Sequence, residues 1–207
     1  MKLYLSSYRI PTPSDLEELL GKPLNQVSVA LIANAKDYYT ERPRNFTVSE
    51  FTKYMEGLGL SVDEIDLREF DSADTLKERL KAYDLIYASG GNTYMLRFEM
   101  RRSGFDKVIK ELLDEGKVFG GFSAGALVAG ISIAGVEMDD EPKFAEEVIK
   151  EGLNLVPFVI LPHADDPAYK DILLTFRDIH RDRDIIELKD SQAAVFNDTE
   201  HKIVEAL

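Results

Sequence analysis

Residues 121–125 combine a serine with flanking glycines in the pattern G-x-S-x-G. This spacing is typical of a nucleophile elbow, in which a strand turns sharply into a helix and the serine hydroxyl projects clear of the sheet. Small neighbours permit the strained turn, and the N-terminus of the helix favours a developing negative charge. An incidental serine in a glycine-rich turn would give the same pentapeptide. Ser123 is therefore a candidate nucleophile, and the surrounding elements must support it.

A second glycine-rich segment, Ser-Gly-Gly-Asn-Thr at residues 89–93, follows a predicted strand. A glycine pair lets a backbone N–H group approach a substrate oxygen closely. If the strands that lead into 89–93 and 121–125 are parallel neighbours, both loops lie at the carboxyl edge of the sheet, where open α/β sheets bind ligands. The N–H groups of Gly91 and Ala124 are then candidate donors of an oxyanion hole. Taken in isolation, the segment is more typical of an ordinary turn before a helix.

A serine nucleophile needs a general base, and the sequence contains three histidines. His163 follows a predicted strand, which places it at an edge of the sheet. His180 lies in the charged segment 176–183, which we expect to be solvated, and His201 lies near the C-terminal hairpin. Placement at a strand end favours His163 as the base.

The base in turn needs a carboxylate that fixes its tautomer. Between the candidate nucleophile and base, an acidic cluster contains Glu137, Asp139, Asp140 and Glu141. Since one carboxylate suffices, most of this cluster must be a solvated acidic loop. The residues alone do not select among the four.

The composition excludes several other classes of protein. The formal net charge of -13 disfavours nucleic-acid and membrane-surface partners, because phosphate groups would be repelled. The absence of cysteine excludes disulfides, thiolate metal sites and a cysteine nucleophile, and it fits a cytoplasmic protein. No apolar run is long enough to span a membrane, and the N-terminus is too short and polar for a signal peptide. We expect neither a metal nor a cofactor.

Short β-rich runs alternate with helical stretches, which predicts an α/β domain with a mainly parallel sheet. We expect a single domain over residues 1–207. The N-terminal residues are interpreted as the first strand, and further strands are predicted at 27–33, 61–67, 84–88, 118–121, 158–161, 185–188, 193–196 and 202–205. Helices are predicted at 47–58, 74–81, 105–115 and 124–128, and residues 137–150 are interpreted as a loop followed by a helix. The last two strands are expected to form a hairpin around residues 197–200.

Three motifs in this order resemble the dipeptidase E (aspartyl dipeptidase) family of serine peptidases, with cyanophycinases as more distant relatives. They are Ser-Gly-Gly-Asn-Thr at 89–93, Gly-Phe-Ser-Ala-Gly-Ala at 121–126 and Gly-Leu-Asn-Leu-Val-Pro-Phe-Val-Ile-Leu-Pro-His at 152–163. The likeness runs from about Val27 to the C-terminus. It implies a three-layer α/β sandwich with a mainly parallel sheet, of the class I glutamine amidotransferase-like type. It also implies a Ser–His–acid triad without a cofactor that cleaves short peptides, often after an N-terminal aspartate.

The resemblance carries over to individual residues. Ser123 matches the nucleophile and His163 the base, while Gly91 and Ala124 match the oxyanion-hole donors. Asp-Glu-Pro at 140–142 is similar to the family's acid followed two positions later by proline. The resemblance therefore favours Asp140 as the triad acid and Asp139 as the second choice.

Two other functions share part of this pattern. An esterase of the α/β-hydrolase type has the same elbow and the same order of triad residues, although the chain that follows Ser123 is short for that fold. A non-catalytic binding module could also retain the elbow. Recognition of an aspartyl side chain would need a cation near the site. The candidates, each more typical of a surface residue, are Arg97, Arg101, Arg102 and Arg177. The sequence leaves open whether the protein forms a homodimer.

Overall fold

A computed structural model describes residues 1–198 and 200–206. The strands are β1 (Lys2–Ser6), β2 (Ser28–Ile32), β3 (Ser61–Glu64), β4 (Leu85–Ala88), β5 (Val118–Phe122), β6 (Val159–Leu161), β7 (Ile185–Glu187), β8 (Gln192–Asn197) and β9 (Glu200–Glu205). The helices are α1 (Pro13–Leu20), α2 (Glu41–Gly57), α3 (Ala73–Leu80), α4 (Thr93–Arg102), α5 (Phe105–Asp114), α6 (Ala124–Leu127) and α7 (Lys170–Ile179).

The central sheet of the described residues has seven strands in the order β3-β2-β4-β5-β1-β8-β9. The first five of these pair in parallel, and β8 and β9 extend the sheet as an antiparallel hairpin. A separate pair, β6 and β7, is parallel. Because β4 and β5 are parallel neighbours, the loops that follow them meet at the same edge of the sheet, as the sequence predicts.

Helices cover both faces of the sheet, and alternate residues of each strand point into two apolar cores. Leu3 and Leu5 of β1 pack with side chains from α3 to α7, whereas Tyr4 packs on the opposite face with side chains from α1 and α2. A sheet covered on both faces requires continuous apolar runs in its inner strands, and β2 and β4 have such runs. The predicted three-layer α/β sandwich with a mainly parallel sheet is confirmed.

Three sequence-based predictions of helices and strands differ from the structure by more than two residues. Helix α2 begins at Glu41 rather than at residue 47, and Pro43 is tolerated because it lies in the first turn, where N–H groups have no helical partner. Strand β3 ends at Glu64 instead of 67, where a short 3-10 turn follows. The helix predicted within 137–150 is wrong: this segment is irregular apart from a 3-10 turn at Pro142–Phe144.

The C-terminal hairpin is formed by β8 and β9. Thr199, which belongs to the predicted turn, lies outside the described residues. None of the helices in residues 1–198 and 200–206 combines the length and the apolar content that a membrane-spanning helix needs.

Candidate active site

Ser123 occupies a sharp turn between β5, which ends at Phe122, and α6, which begins at Ala124. Its backbone has φ 51° and ψ -116°, a strained conformation for a residue with a side chain. The turn is so tight that a Cβ atom added to Gly125 would lie 2.1 Å from the carbonyl oxygen of Ala88. The strand–turn–helix context that a nucleophile elbow requires is therefore present around Ser123.

His163 lies two residues beyond the end of β6 and faces the elbow. Its Nε2 atom lies 3.0 Å from Ser123 Oγ. The ring of Tyr169 stacks on the imidazole with a centroid distance of 4.7 Å and an interplanar angle of 20°. Stacking and hydrogen bonding together restrict the ring to an orientation in which it can accept the serine proton.

The other ring nitrogen of His163 is paired with Asp190. Nδ1 lies 2.7 Å from Asp190 Oδ1. Strands β6 and β7 are parallel, with Leu161 opposite Glu187, so the residues that follow the two strands lie side by side. The Nδ1–H group donates a hydrogen bond to the Asp190 carboxylate. This tautomer leaves Nε2 without a proton, so Nε2 can accept the hydroxyl proton of Ser123.

Ser7 connects the backbone of the base to the same carboxylate. The His163 N–H donates to Ser7 Oγ at 2.7 Å, and the Ser7 hydroxyl donates to Asp190 Oδ1 at 2.7 Å. Ser7 is buried just beyond β1, which lies beside β5 in the sheet. Ser7, His163 and Asp190 therefore form a closed loop of hydrogen bonds. Nothing in the sequence around Ser7 indicates this role.

The predicted pairing of Asp140 with His163 is wrong in this structure, since Asp190 holds that position. Asp140 Oδ2 instead accepts a hydrogen bond from the N–H of Thr93 at 2.9 Å, and among the described residues no hydrogen bond joins it to His163. The four acids considered from the sequence all precede His163 in the chain. The partner instead comes from beyond the end of β7, a three-residue strand that follows His163.

The other acidic candidates also lie away from the His163 ring nitrogens. Glu137 accepts a hydrogen bond from the Gly135 N–H and forms an ion pair with Lys150 at 2.9 Å. Glu141 is exposed and pairs with Lys143. Asp139 is exposed but lines the same pocket as Ser123.

This pocket is a cavity of about 40 Å³ next to the elbow. Its polar lining comes from Gly91, Thr93, Ser123, Asp139, Asp140, His163 and Tyr169, and its apolar lining from Leu127, Val136, Leu161, Pro162, Ile172 and Leu173. Burial raises the pKa of Asp140 to about 6, and partial desolvation of the more exposed Asp139 side chain also raises its pKa. The pocket is thus acidic and partly shielded from water.

Gly91 and Ala124, the predicted oxyanion-hole donors, lie on either side of the elbow. Gly91 has φ +142°, and a Cβ atom there would lie 2.3 Å from the carbonyl oxygen of Ala35, so a side chain cannot be accommodated. The Gly91 N–H has no protein acceptor among the described residues. Ala124 begins α6, and the first N–H groups of a helix have no partner within it.

The two remaining histidines lie elsewhere. The expectation that the charged segment around His180 is solvated is wrong for the histidine itself, which is only 2% exposed and packs on Phe176. Its Nε2 atom lies 2.8 Å from the Ala134 carbonyl oxygen. His201 stacks on Phe196 near the C-terminal hairpin. Neither histidine contacts Ser123.

Comparison with known proteins agrees with this geometry. The sequence profile described as peptidase family S51 matches residues 7–204. The chain belongs to this family. An uncharacterized peptidase from Listeria innocua is 35% identical over 165 residues, which is 79% of this chain and 75% of that protein. Peptidase E of Shewanella oneidensis is 32% identical over 108 residues, 51% of this chain and 43% of that protein.

The structural comparison leads to the same family. The crystal structure of a candidate peptidase E from Listeria monocytogenes EGD-e has a TM-score of 0.83 and 30% identity, and the match covers 99% of this chain and 98% of that one. The sequence-based assignment to the dipeptidase E family of serine peptidases, and to a serine-type enzyme, is therefore confirmed.

Within the described residues, this S51 family member has no arginine in the lining of the Ser123 pocket. Each of the four arginines considered from the sequence is paired with a carboxylate elsewhere. Arg97 and Arg101 both bind Asp106, Arg102 binds Glu99, and Arg177 binds Glu187. None of these four arginines lines the Ser123 pocket in the described structure.

Proposed function

We propose that the protein hydrolyses short peptides with a catalytic triad of Ser123, His163 and Asp190. The observation that carries this proposal is the continuous chain of hydrogen bonds from Ser123 Oγ through both ring nitrogens of His163 to Asp190, with distances of 3.0 and 2.7 Å. Such a series of hydrogen bonds, with the serine on a nucleophile elbow, is the arrangement that activates a serine hydroxyl. Membership of a serine peptidase family supports the same chemistry.

In this mechanism the Ser123 oxygen attacks the carbonyl carbon of the scissile peptide bond while His163 Nε2 takes the hydroxyl proton. Asp190 stabilises the imidazolium that forms. The N–H groups of Gly91 and Ala124 stabilise the oxyanion. His163 then donates the proton to the leaving amine, an acyl-enzyme remains on Ser123, and water activated by His163 releases the acid and restores the hydroxyl.

A preference for N-terminal aspartate is the finer hypothesis that the family likeness suggests. It would require a cation in the pocket, whereas the ionisable lining consists of Asp139, Asp140, Tyr169 and the His163 ring. The net charge of -13 also works against long-range attraction of acidic substrates. Short peptides without an acidic first residue therefore fit the pocket better.

Labelling with a fluorophosphonate probe, followed by hydrolysis of a dipeptide panel, tests the proposed function. The wild-type protein should form a stoichiometric adduct on Ser123 and cleave dipeptides, whereas Ser123→Ala should do neither. Hydrolysis of activated esters without any cleavage of peptides would instead indicate an esterase. A protein that neither reacts with the probe nor cleaves either substrate class would be a binding module.

A further inference from the structure

The loop that carries Gly91 is held by the segment that follows β2. The Asn92 N–H donates to the Ala35 carbonyl at 2.7 Å, and the Ser89 N–H donates to the Ile32 carbonyl at 2.9 Å. A Cβ atom on Gly91 would lie 2.3 Å from the same Ala35 oxygen, so the two backbones are in direct contact. The position of the Ala35 carbonyl therefore determines the position of the Gly91 backbone.

The same loop also touches the nucleophile elbow. A Cβ atom on Gly90 would lie 2.8 Å from the Phe122 ring and 3.1 Å from Ser123 Cβ. Strands β2, β4 and β5 are successive neighbours in the sheet, so the segments that follow them form a row at its carboxyl edge. A displacement of residues 34–36 would thus move Gly91 relative to Ser123.

Ala35 belongs to a 3-10 turn, Asn34–Lys36, that is anchored by the side chain of Asn34. Asn34 is fully buried. Its Nδ2 atom donates to Asp37 Oδ2 at 2.7 Å and to Asp66 Oδ1 at 2.9 Å, and its Oδ1 atom accepts from the Leu67 N–H at 3.1 Å. These bonds use both amide hydrogens and the amide oxygen, so the side chain has one satisfied orientation. Asn34 thereby ties the turn after β2 to the segment after β3.

Charged residues surround this amide. The carboxylate of Asp37 is only 3% exposed and pairs with Arg44 Nε at 2.5 Å and Arg68 Nε at 3.3 Å. Arg44 also pairs with Glu64 at 2.7 Å, and Arg68 with Asp66 at 2.6 Å. Buried ion pairs often add little net stability, because the cost of desolvation offsets their attraction. The geometry that the cluster imposes on residues 34–37 explains it better than its contribution to stability does.

We propose that Asn34 and Asp37 are positioning residues for the hydrolytic reaction. Through the Ala35 carbonyl, they fix the Gly91 N–H where it can donate to the oxyanion. This inference rests on the proposed serine mechanism, in which Gly91 supplies one of the two donors. Neither Asn34 nor Asp37 lines the Ser123 pocket, so both act through the loop and not on the substrate.

The chemistry of the oxyanion makes this positioning important. Negative charge develops on the substrate oxygen only as Ser123 attacks, and a donor is effective only at about 2.7–3.1 Å from that oxygen. A misplacement of about 1 Å in a catalytic group can lower the rate by about 10²-fold. Loss of the anchor should therefore weaken stabilisation of the transition state and leave substrate binding nearly unchanged.

Asn34→Leu is the main test, since leucine has a similar size and forms no hydrogen bonds. With the dipeptide that the wild type cleaves fastest, kcat should fall about 10- to 100-fold and KM should stay within about threefold. Asp84→Asn is the matched control. Asp84 Oδ2 accepts from the Ser28 N–H and hydroxyl at 2.9 Å and pairs with Lys22, but it lies at the opposite ends of β2 and β4. This variant should lose thermal stability and keep the wild-type kcat.

A second measurement reports on the oxyanion hole itself. p-Nitrophenyl acetate and its thiono analogue differ only in the carbonyl atom, and sulfur is a larger atom and a weaker acceptor than oxygen. The wild type should prefer the oxygen ester at least tenfold more strongly than hydroxide ion does. This additional preference should shrink at least fivefold in Asn34→Leu and in Gly91→Ala, and it should be unchanged in Asp84→Asn.

Asp37→Asn perturbs the same cluster more gently, because the amide keeps the size of the side chain. It should lower kcat at least threefold and reduce the preference for the oxygen ester in the same direction. Wild-type kcat and ester preference in folded Asn34→Leu, or in Asp37→Asn if the leucine variant does not fold, would overturn the positioning role. An equal loss of kcat in Asp84→Asn would overturn it as well, since general loosening of the sheet would then explain the effect. A wild-type protein that neither reacts with a fluorophosphonate nor hydrolyses p-nitrophenyl acetate would instead overturn the serine mechanism.

Discussion

His163 Nδ1 lies 2.7 Å from Asp190 Oδ1, although the two residues are 27 positions apart and each follows a different strand. Their proximity results from the parallel pairing of β6 with β7, which forms a small sheet of its own. Ser7 adds a third hydrogen-bonded member from the end of β1. The base, which follows β6, is thus oriented by residues beyond two other strand ends, Asp190 after β7 and Ser7 after β1.

Asp190→Asn should lower kcat by about 10⁴-fold, by analogy with the asparagine variant of the serine-protease triad. The amide keeps the size of the side chain but removes the charge that stabilises the imidazolium, and it can hold the wrong tautomer. Steady-state kinetics on a dipeptide, with circular dichroism to confirm folding, measure the effect.

Asp140→Asn is the informative companion of Asp190→Asn. Since Asp140 accepts a hydrogen bond from Thr93 and none from His163, its substitution should lower kcat far less than Asp190→Asn does. If Asp140→Asn were inactive and Asp190→Asn active, Asp140 would be the triad acid, as the sequence resemblance suggests.

Much of this architecture follows from local sequence signals. The buried strands are continuous apolar runs, and the elbow at Ser123 is recognisable because one short motif, G-x-S-x-G, contains both the serine and the glycines of the turn. His163 is recognisable as the base because it follows a strand. These features depend on residues that are near one another in the chain.

The acid cannot be found in the same way. Asp190 is one of many acidic residues in the sequence. It lies next to His163 only because two three-residue strands, β6 and β7, pair with each other. Ser7 likewise depends on β1 lying beside β5 in the sheet. Helix α7 and the burial of His180 are equally hard to predict. The apolar stripe of this helix, which contains Leu173 and Phe176, is interrupted in the sequence by charged residues.

Ser123→Ala and His163→Ala should each reduce kcat by several orders of magnitude, and the double variant should lose little more than either single one. Triad residues act as a unit, so the loss of one member removes most of the contribution of the others. Rate measurements on the three variants under identical conditions test this expectation. Additive losses would indicate that Ser123 and His163 act in separate steps.

Ser7→Ala should reduce kcat about tenfold with little change in KM. The hydroxyl links the His163 N–H to Asp190 Oδ1, and the loss of an orienting hydrogen bond costs roughly 1–1.5 kcal/mol. Ser191→Ala is the matched control, because that hydroxyl binds the exposed Glu205 side chain away from His163. Ser7→Thr, which keeps the hydroxyl, should recover part of the rate; no recovery together with a lower melting temperature would indicate a packing role only.

Gly91→Ala should abolish most activity, with kcat lowered about 10²–10³-fold, as expected when one oxyanion-hole donor is lost. The added Cβ would collide with the Ala35 carbonyl, so the loop and its N–H must shift. Gly21→Ala provides a control for the backbone strain alone, since Gly21 also has positive φ but no atom lies within 4 Å of its added Cβ. That control should lower stability by about 1 kcal/mol and leave kcat unchanged. Equal activity of the two variants would argue against Gly91 as a donor.

Asp140→Asn should stabilise the ligand-free protein at pH 8. Burial raises the pKa of Asp140 to about 6, against 3.8 for an ordinary aspartate, so the folded state binds the proton more tightly than the unfolded state does. The contribution of Asp140 to stability is therefore most favourable below pH 3.8, declines as the pH rises from about 4 to about 6, and stays constant above that range. At pH 8 the ionised side chain costs on the order of 1–3 kcal/mol, which an amide would avoid.

Thermal unfolding of wild type and Asp140→Asn between pH 4 and pH 8 measures this cost. The melting temperature of the variant should exceed that of the wild type by a few degrees at pH 8, since about 1 kcal/mol shifts it by roughly 2–4 °C in a chain of this size. The difference should shrink towards pH 4, where the wild-type carboxyl is protonated in the folded protein. Glu141→Gln, at an exposed position, should show no such pH-dependent difference. A variant that is less stable than wild type at pH 8, or a difference that is the same at every pH, would contradict a pKa of Asp140 that burial raises in the folded protein.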